Sequence, residues 1–302
     1  MLGDITIRLL DTETEQPAAL PLLARCFPDY WEQTAARNKV FPFDEISFGA
    51  FLGEEIVGHC GIIPYSISDG GGRTFLFGGI ASVVVAPEAR GQGIARNLCL
   101  FAKDWAAENG YDSLPLYTGK DRVYESAGWY GYTSTQPRQI VFPSEYLQNT
   151  SPKLCGSELP ENARALFIDL YEKQDFCGKV LRGMNREYLG WRRIFQDPAH
   201  RFAYGEGITA IFFDDTLAEC FAENSVSDKD ICRFLAQFAV NGELTCALHD
   251  TSPIWTALAN CGCKSLPCTK DIMHGEHQMT LDIAPSMPHR GRLIHYSLVD
   301  KF

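Results

Sequence analysis

Residues 78–98 read GGIASVVVAPEARGQGIARNL. An apolar strand ends at Val83, Val84 and Val85. A turn of small residues follows, and a helix opens over Arg90, Gly91, Gln92, Gly93, Ile94, Ala95 and Arg96. A strand end that is apolar on both faces predicts a central strand covered on both sides. The first turn of a helix leaves N–H groups without partners, and the helix dipole places partial positive charge there. Glycines allow the backbone to approach a bulky anion closely. Together these features read as a seat for a pyrophosphate. The spelling excludes two other anion turns. No GK[ST] follows the glycines, as a P-loop requires, and Arg96 stands where the dinucleotide fingerprint needs its last glycine.

Upstream of this turn, alternation predicts a strand at 5–10, and helical spacing predicts a helix at 15–27. A loop over Phe27, Pro28, Asp29, Tyr30 and Trp31 leads to a short polar helix ending near residue 39. Strands are predicted at 46–52, 55–67 and 74–85. Downstream, a helix at 93–109 is closed by Gly110, as glycine commonly closes helices. A strand at 112–117, a short helix at 121–127 stopped by Gly128, and a strand at 129–135 complete the first half. Residues 143–160 are rich in Pro, Ser, Asn and Gly and poor in apolar residues, which reads as a linker. Beyond it, helices are predicted at 163–173, 186–195, 228–240 and 252–260, and strands at 202–205, 208–223 and 244–249. The order strand, helix, strand, helix over 208–260 echoes 74–128 in element order only.

The chain has 302 residues, which predicts two domains. The boundaries read as 1–142, a linker at 143–160, and 161–302. Hydrophobic residues at 45% and charged residues at 22% fit an ordinary globular chain. A formal net charge of −11 argues against nucleic acid as a partner. The N-terminal stretch lacks the form of a secretory signal, and no apolar run is long enough to span a membrane. No membrane partner is expected, and the reading is a cytoplasmic protein. The 11 cysteines read as reduced thiols, many of them buried.

At Arg90, Gly93 and Ala95 the chain resembles the GNAT acetyltransferase superfamily, whose pyrophosphate loop is spelled Q/R-x-x-G-x-G/A. A second element stands in order after it: Val123-Tyr124-Glu125-Ser126-Ala127-Gly128-Trp129 is similar to the family's F-Y-E-x-x-G-F. The resemblance covers roughly residues 3–140. It implies an α/β fold with a twisted mixed β-sheet that splays apart after Val85. It implies acetyl-CoA as co-substrate, its pantetheine arm on the main chain of Val83, Val84 and Val85, and its pyrophosphate on the N–H groups of Gly91 through Arg96. It also implies Tyr124 as general acid to the CoA thiolate. A phenol is a chemically suitable acid for a thiolate of similar basicity. The second half resembles the degenerate second GNAT-like domain of the tandem, Eis-type acetyltransferases, since it contains no R-x-x-G-x-G/A.

The implied reaction is acetyl transfer to an amine, on a small molecule or a protein, by direct attack. The competing reading is an acyl-CoA-binding sensor or scaffold without turnover. An attacking amine must lose a proton, so a base or a water relay is needed. Asp29, Tyr30 and Trp31 are candidates for acceptor binding by location. Asp44, Glu45 and His59 are candidate proton acceptors, each with a structural alternative as a loop or strand residue. Cys261, Cys263, Cys268, His274 and His277 do not match a common zinc spacing, so no metal is expected. Trp191, Arg192, Arg193 and Tyr188 read as helix packing. Homo-oligomer formation is left open.

Overall fold

The structure, a computed structural model, describes residues 4–28, 45–131, 137–147, 154–156, 158–183, 190–269, 271 and 277–284. The first half runs β1 (Ile5–Leu9), α1 (Glu15–Ala18), α2 (Leu20–Cys26), β2 (Ile46–Leu52), β3 (Glu55–Asp69), β4 (Thr74–Val85), α3 (Ile94–Glu108), β5 (Leu116–Thr118), α4 (Asp121–Glu125) and β6 (Tyr130–Gly131). The helix expected over 15–27 is two helices that meet at Ala19. Pro21 has no N–H to continue the ladder from the first helix, and it is tolerated where the second begins.

β1, β2, β3 and β4 form an antiparallel meander. The α3 helix packs on one face of it. Leu98, Cys99, Ala102 and Ala106 recur at helical spacing and are fully buried against Phe48, Cys60 and Ile62. The free edge of β4 takes up the segment before β5 in parallel. The Asp112 N–H donates to Leu76 C=O (2.8 Å), Gly78 N–H to Ser113 C=O (3.0 Å), and Ile80 N–H to Pro115 C=O (2.8 Å). Among the described residues no ladder continues past Ile80 on that edge. The splay therefore opens at Ala81 rather than after Val85. A bulge sits there: β4 uses the three steps from Ala81 to Val84 where β3 uses the two from Gly61 to His59. Ser82 takes a φ of 54 within it.

The rest of the chain runs β7 (Arg138–Val141), α5 (Glu161–Glu172), β8 (Cys177–Val180), α6 (Trp191–Gln196), β9 (His200–Gly205), β10 (Ile208–Phe213), β11 (Thr216–Ala222), α7 (Asp228–Ala236), β12 (Glu243–Cys246), α8 (Pro253–Asn260), β13 (Lys264–Pro267) and β14 (His277–Thr280). The single strand expected over 208–223 is a hairpin. Its turn is made by Asp214, which adopts a φ of 53, a conformation Asp tolerates better than most residues. The helix expected over 228–240 stops at Ala236.

The two halves exchange strands. β7 lies between β12 and β13 in the six-stranded second sheet. β14 lies between β5 and β6, pairing Met279 with Leu116 and Thr280 with Tyr130. β8 pairs with the far end of β3. Within the segment read as a linker, Tyr146 is buried and Cys155 exchanges two backbone hydrogen bonds with Phe202. No helix among the described residues is long and apolar enough to cross a membrane. Trp191 is buried, stacked on Phe195 and edge-on to Tyr171, while Tyr188 lies outside the described residues.

Candidate active site

A cavity of about 650 Å³ opens where β4 leaves β5, a volume ordinary for a small-molecule site. One wall is Val83, Val84 and Val85. The floor is Arg90, Gly91, Gly93, Ile94, Ala95 and Arg96, and the opposite wall includes Lys120, Val123, Tyr124 and Ser126. Two elements far apart in sequence thus face one space. Among the described residues named from the sequence for the cofactor, Gln92 alone does not line the cavity, and it donates from Nε2 to Ala89 C=O at 3.2 Å.

The backbone explains why the turn is spelled with glycine. Gly91 and Gly93 take φ values of 80 and 75, left-handed conformations that favour glycine. A Cβ on either would meet nothing within 4 Å, so both face open space. Gly93 is the N-cap of α3 and offers no capping side chain, and the first turn of α3 holds no acidic residue. The positive end of the helix dipole is therefore left for an external anion. Arg90 and Arg96 lie at the rim. Arg90 Nε–H donates to Val85 C=O (3.1 Å), and Arg96 Nε–H donates to Ser126 C=O (2.9 Å), which ties α3 to the end of α4.

On β4, Ala86 N–H donates to Val57 C=O, so it faces β3. Antiparallel alternation then turns the main-chain groups of Val83 and Val85 to the other edge, toward the cavity. The Val85 carbonyl agrees, since it accepts from Arg90 and from the Cys26 thiol (3.9 Å). The Tyr124 ring is partly buried and lies edge-on to Trp129, with centroids 6.4 Å apart. Tyr124 C=O accepts from the N–H groups of Ala127 (2.9 Å) and Trp129 (3.0 Å). The Trp129 indole is in turn anchored on Leu114 C=O at 2.7 Å. The end of the short α4 is thus tied to Trp129, which is itself anchored on the segment before β5.

Asp29, Tyr30, Trp31 and Asp44 lie outside the described residues. Glu45 and His59 are described, and the fold brings them together. Both side chains are fully buried, with His59 Nε2 3.7 Å from Glu45 Oε1. Burial pushes the Glu45 carboxyl up to about 8 and pulls the His59 imidazole down to about 4. Sequence reasoning named both residues separately and missed their contact. Cys263 Sγ lies 3.5 Å from Cys232 Sγ, while His274 and the side chain of His277 lie outside the described residues.

Residues 6–132 match the family model described as an acetyltransferase (GNAT) domain. No curated protein sequence matches the chain. Among solved structures, the chain is similar to a GCN5-related N-acetyltransferase from Kribbella flavida, at 15% identity and a TM-score of 0.61, over 92% of this chain and 71% of that one. It is similar to a GCN5-related N-acetyltransferase from Anabaena variabilis, at 17% identity and a TM-score of 0.62, over 93% and 73%. It is also similar to Eis1 from Mycobacterium abscessus, at 15% identity and a TM-score of 0.55, over 93% and 74%. At such identities the likeness speaks for the fold, while the family match speaks for the chemistry of the first half.

Proposed function

We propose that this chain, which carries a GNAT acetyltransferase domain and is an acyltransferase, moves an acetyl group from acetyl-CoA to an amine. The observation that carries the reading is the convergence in one cavity of the uncapped, glycine-built start of α3, the free edge of Val83 and Val85, and Tyr124. The N–H groups of Gly91 through Arg96 hold the pyrophosphate. The pantetheine arm adds to the free β4 edge as a strand would. Attack of a neutral amine on the acetyl carbon forms the C–N bond and breaks the C–S bond. Tyr124 gives its phenolic proton to the departing sulfur, the nitrogen loses one proton to become the amide, and the phenol is restored by proton exchange with solvent. The second half binds no CoA, because α7 begins with Asp228 and Asp230 where α3 begins with open glycine.

The test is CoA thiol release from acetyl-CoA against a panel of amines, repeated with Tyr124→Phe. The substitution keeps the ring and its packing on Trp129. Turnover should fall by about 100-fold, while acetyl-CoA affinity changes little, since the proton matters only as charge develops on sulfur. A variant as fast as the parent removes Tyr124 from the chemistry. A parent that binds CoA and releases no thiol with any amine makes the protein a sensor.

A further inference from the structure

Behind the β4 bulge stand two buried titratable groups that the mechanism above leaves unused. The Glu45 carboxyl precedes β2, and His59 sits on β3. Ser82 joins them. His59 Nδ1 lies 2.9 Å from Ser82 C=O, and Ser82 Oγ donates to Glu45 Oε2 at 3.3 Å. A carbonyl only accepts, so Nδ1 carries the proton in that bond. In the neutral ring Nε2 then holds the lone pair, and it faces Glu45 Oε1. At 3.7 Å the two atoms are within ion-pair range but beyond hydrogen-bond distance.

The site is built, because the sequence makes room for it. A Cβ on Gly61 would fall 1.5 Å from Glu45 Oε1, so glycine leaves the space the carboxyl fills. Gln16 fixes the backbone at this point. Its Nε2 donates to Glu45 C=O (2.6 Å) and to Ser47 Oγ (3.0 Å). The position also matters. Ser82 immediately precedes Val83, which lines the cavity. Ser82 is only partly buried, whereas Glu45 and His59 are fully enclosed.

We propose that Glu45 takes up, through the Ser82 hydroxyl, the proton lost by the attacking amine, and that His59, bonded to Ser82 C=O, is the positioning residue that holds that hydroxyl in place. The inference rests on the acetyl-transfer reading. The amine nitrogen forms its bond to the acetyl carbon and releases a proton to Ser82 Oγ. The hydroxyl proton of Ser82 passes to the Glu45 carboxylate as it does so. The C–S bond breaks and sulfur takes the proton of Tyr124. Glu45 returns the proton through Ser82 to solvent, Tyr124 regains one from solvent, and the products are the amide and CoA thiol. Among the described residues, the titratable groups that face the carboxyl are His59 and Cys60 on β3. The groups from α1, β2 and β4, namely Gln16, Ser47 and Ser82, carry no charge. A hydrogen bond with Cys99, together with burial, pushes the Cys60 thiol up, so it stays neutral. The carboxylate that accepts the proton forms as pH rises through about 8.

The experiment measures CoA thiol release by the full-length protein with acetyl-CoA and trifluoroethylamine, an amine that stays neutral through the neutral and alkaline range. The parent kcat should rise with pH through the Glu45 titration. Glu45→Gln and Ser82→Gly should both lose that rise, with kcat at the alkaline end down by about 100-fold and the KM for acetyl-CoA within about twofold. A purely structural role lowers kcat by one factor at every pH and leaves the rise in place, and that result in either variant overturns the inference. Should Glu45→Gln fail to fold, Ser82→Gly decides alone, since glycine is favoured at this φ. A parent that releases no thiol overturns the transfer reading, and this inference with it.

Discussion

Gly93→Asp tests the anion seat at its most exposed point. A side chain built on Gly93 meets nothing within 4 Å, so the carboxylate projects into the cavity without displacing the fold. Two terms oppose CoA binding. The first is backbone strain at a φ of 75, worth about 1 kcal/mol for a residue with a Cβ. Asp tolerates this conformation better than most, so strain is the smaller term. The second is repulsion. A carboxylate about 5 Å from a phosphate, at an effective dielectric of about 20, costs about 3 kcal/mol per pair of charges. That corresponds to roughly a hundredfold in Kd, before its neutralisation of the helix dipole is added. Gly93→Asn is the control, with the same shape and strain but no charge. Titration calorimetry with CoA at low salt should therefore show a small loss for Gly93→Asn and a loss larger by roughly a hundredfold for Gly93→Asp. The gap should narrow as salt rises. Equal affinities for the two variants would put the pyrophosphate somewhere other than the start of α3.

Two further outcomes follow from the packing. The Glu45 carboxyl is raised from 4.5 to about 8 in the folded chain, so the folded state holds a proton that the unfolded state has lost. Stability should fall as pH climbs between those values, by up to about 1.4 kcal/mol per pH unit. His59 is lowered from 6.5 to about 4, so its contribution is lost as pH falls through that window. In urea titrations across pH, Glu45→Gln should remove the alkaline fall and keep the acid one; parallel curves for parent and variant would show that the carboxyl is already ionised when folded. Met279 on β14 is 2% exposed and packs in the core of the first half. Met279→Ala should lower the unfolding free energy by about 2 to 3 kcal/mol, and a change below about 0.5 kcal/mol in denaturant titration would mean β14 adds little to that core.

Much of the first half is legible because its signals are local. The strand that ends in three valines and the helix that starts on spaced glycines are written within twenty-one consecutive residues, and the structure keeps β2 and β4 at the bounds the alternation predicts. What stays hidden depends on partners remote in sequence. β14 is a short strand whose neighbours, β5 and β6, come more than a hundred residues earlier. β13 is exposed along its whole length and ends in a proline, so no apolar pattern marks it. The hairpin of β10 and β11 carries apolar residues on both sides of two aspartates, with no glycine to announce the turn. The Glu45–His59 contact depends on the register that sets His59 opposite Gly49 and on the bulge that turns Ser82 toward both side chains. Neither follows from spacing along the chain.

The two halves share one part of the pattern and differ in the other. In the second half, β11 and β12 also run parallel, pair at Leu217 and Cys246, and then diverge. A cavity of about 390 Å³ lies beside Ala218 to Phe221 and the loop before α8. The splay is thus repeated. The helix start is not. Ser227 caps α7 by accepting from Asp230 N–H, and Asp228 and Asp230 already place negative charge at the positive end of the dipole. An arriving pyrophosphate would meet two carboxylates instead of uncapped N–H groups. The ring of Phe176, from the segment before β8, also stacks on Phe221 beside the diverging strands, where an arm would have to lie. A splay alone is a gap between strands, and on the proposed reading it takes CoA only with an uncapped helix start beside it. The exchange of β7 for β14 gives the second half a different use. It supplies β14, the strand that pairs between β5 and β6, so the geometry of the first half depends on the second.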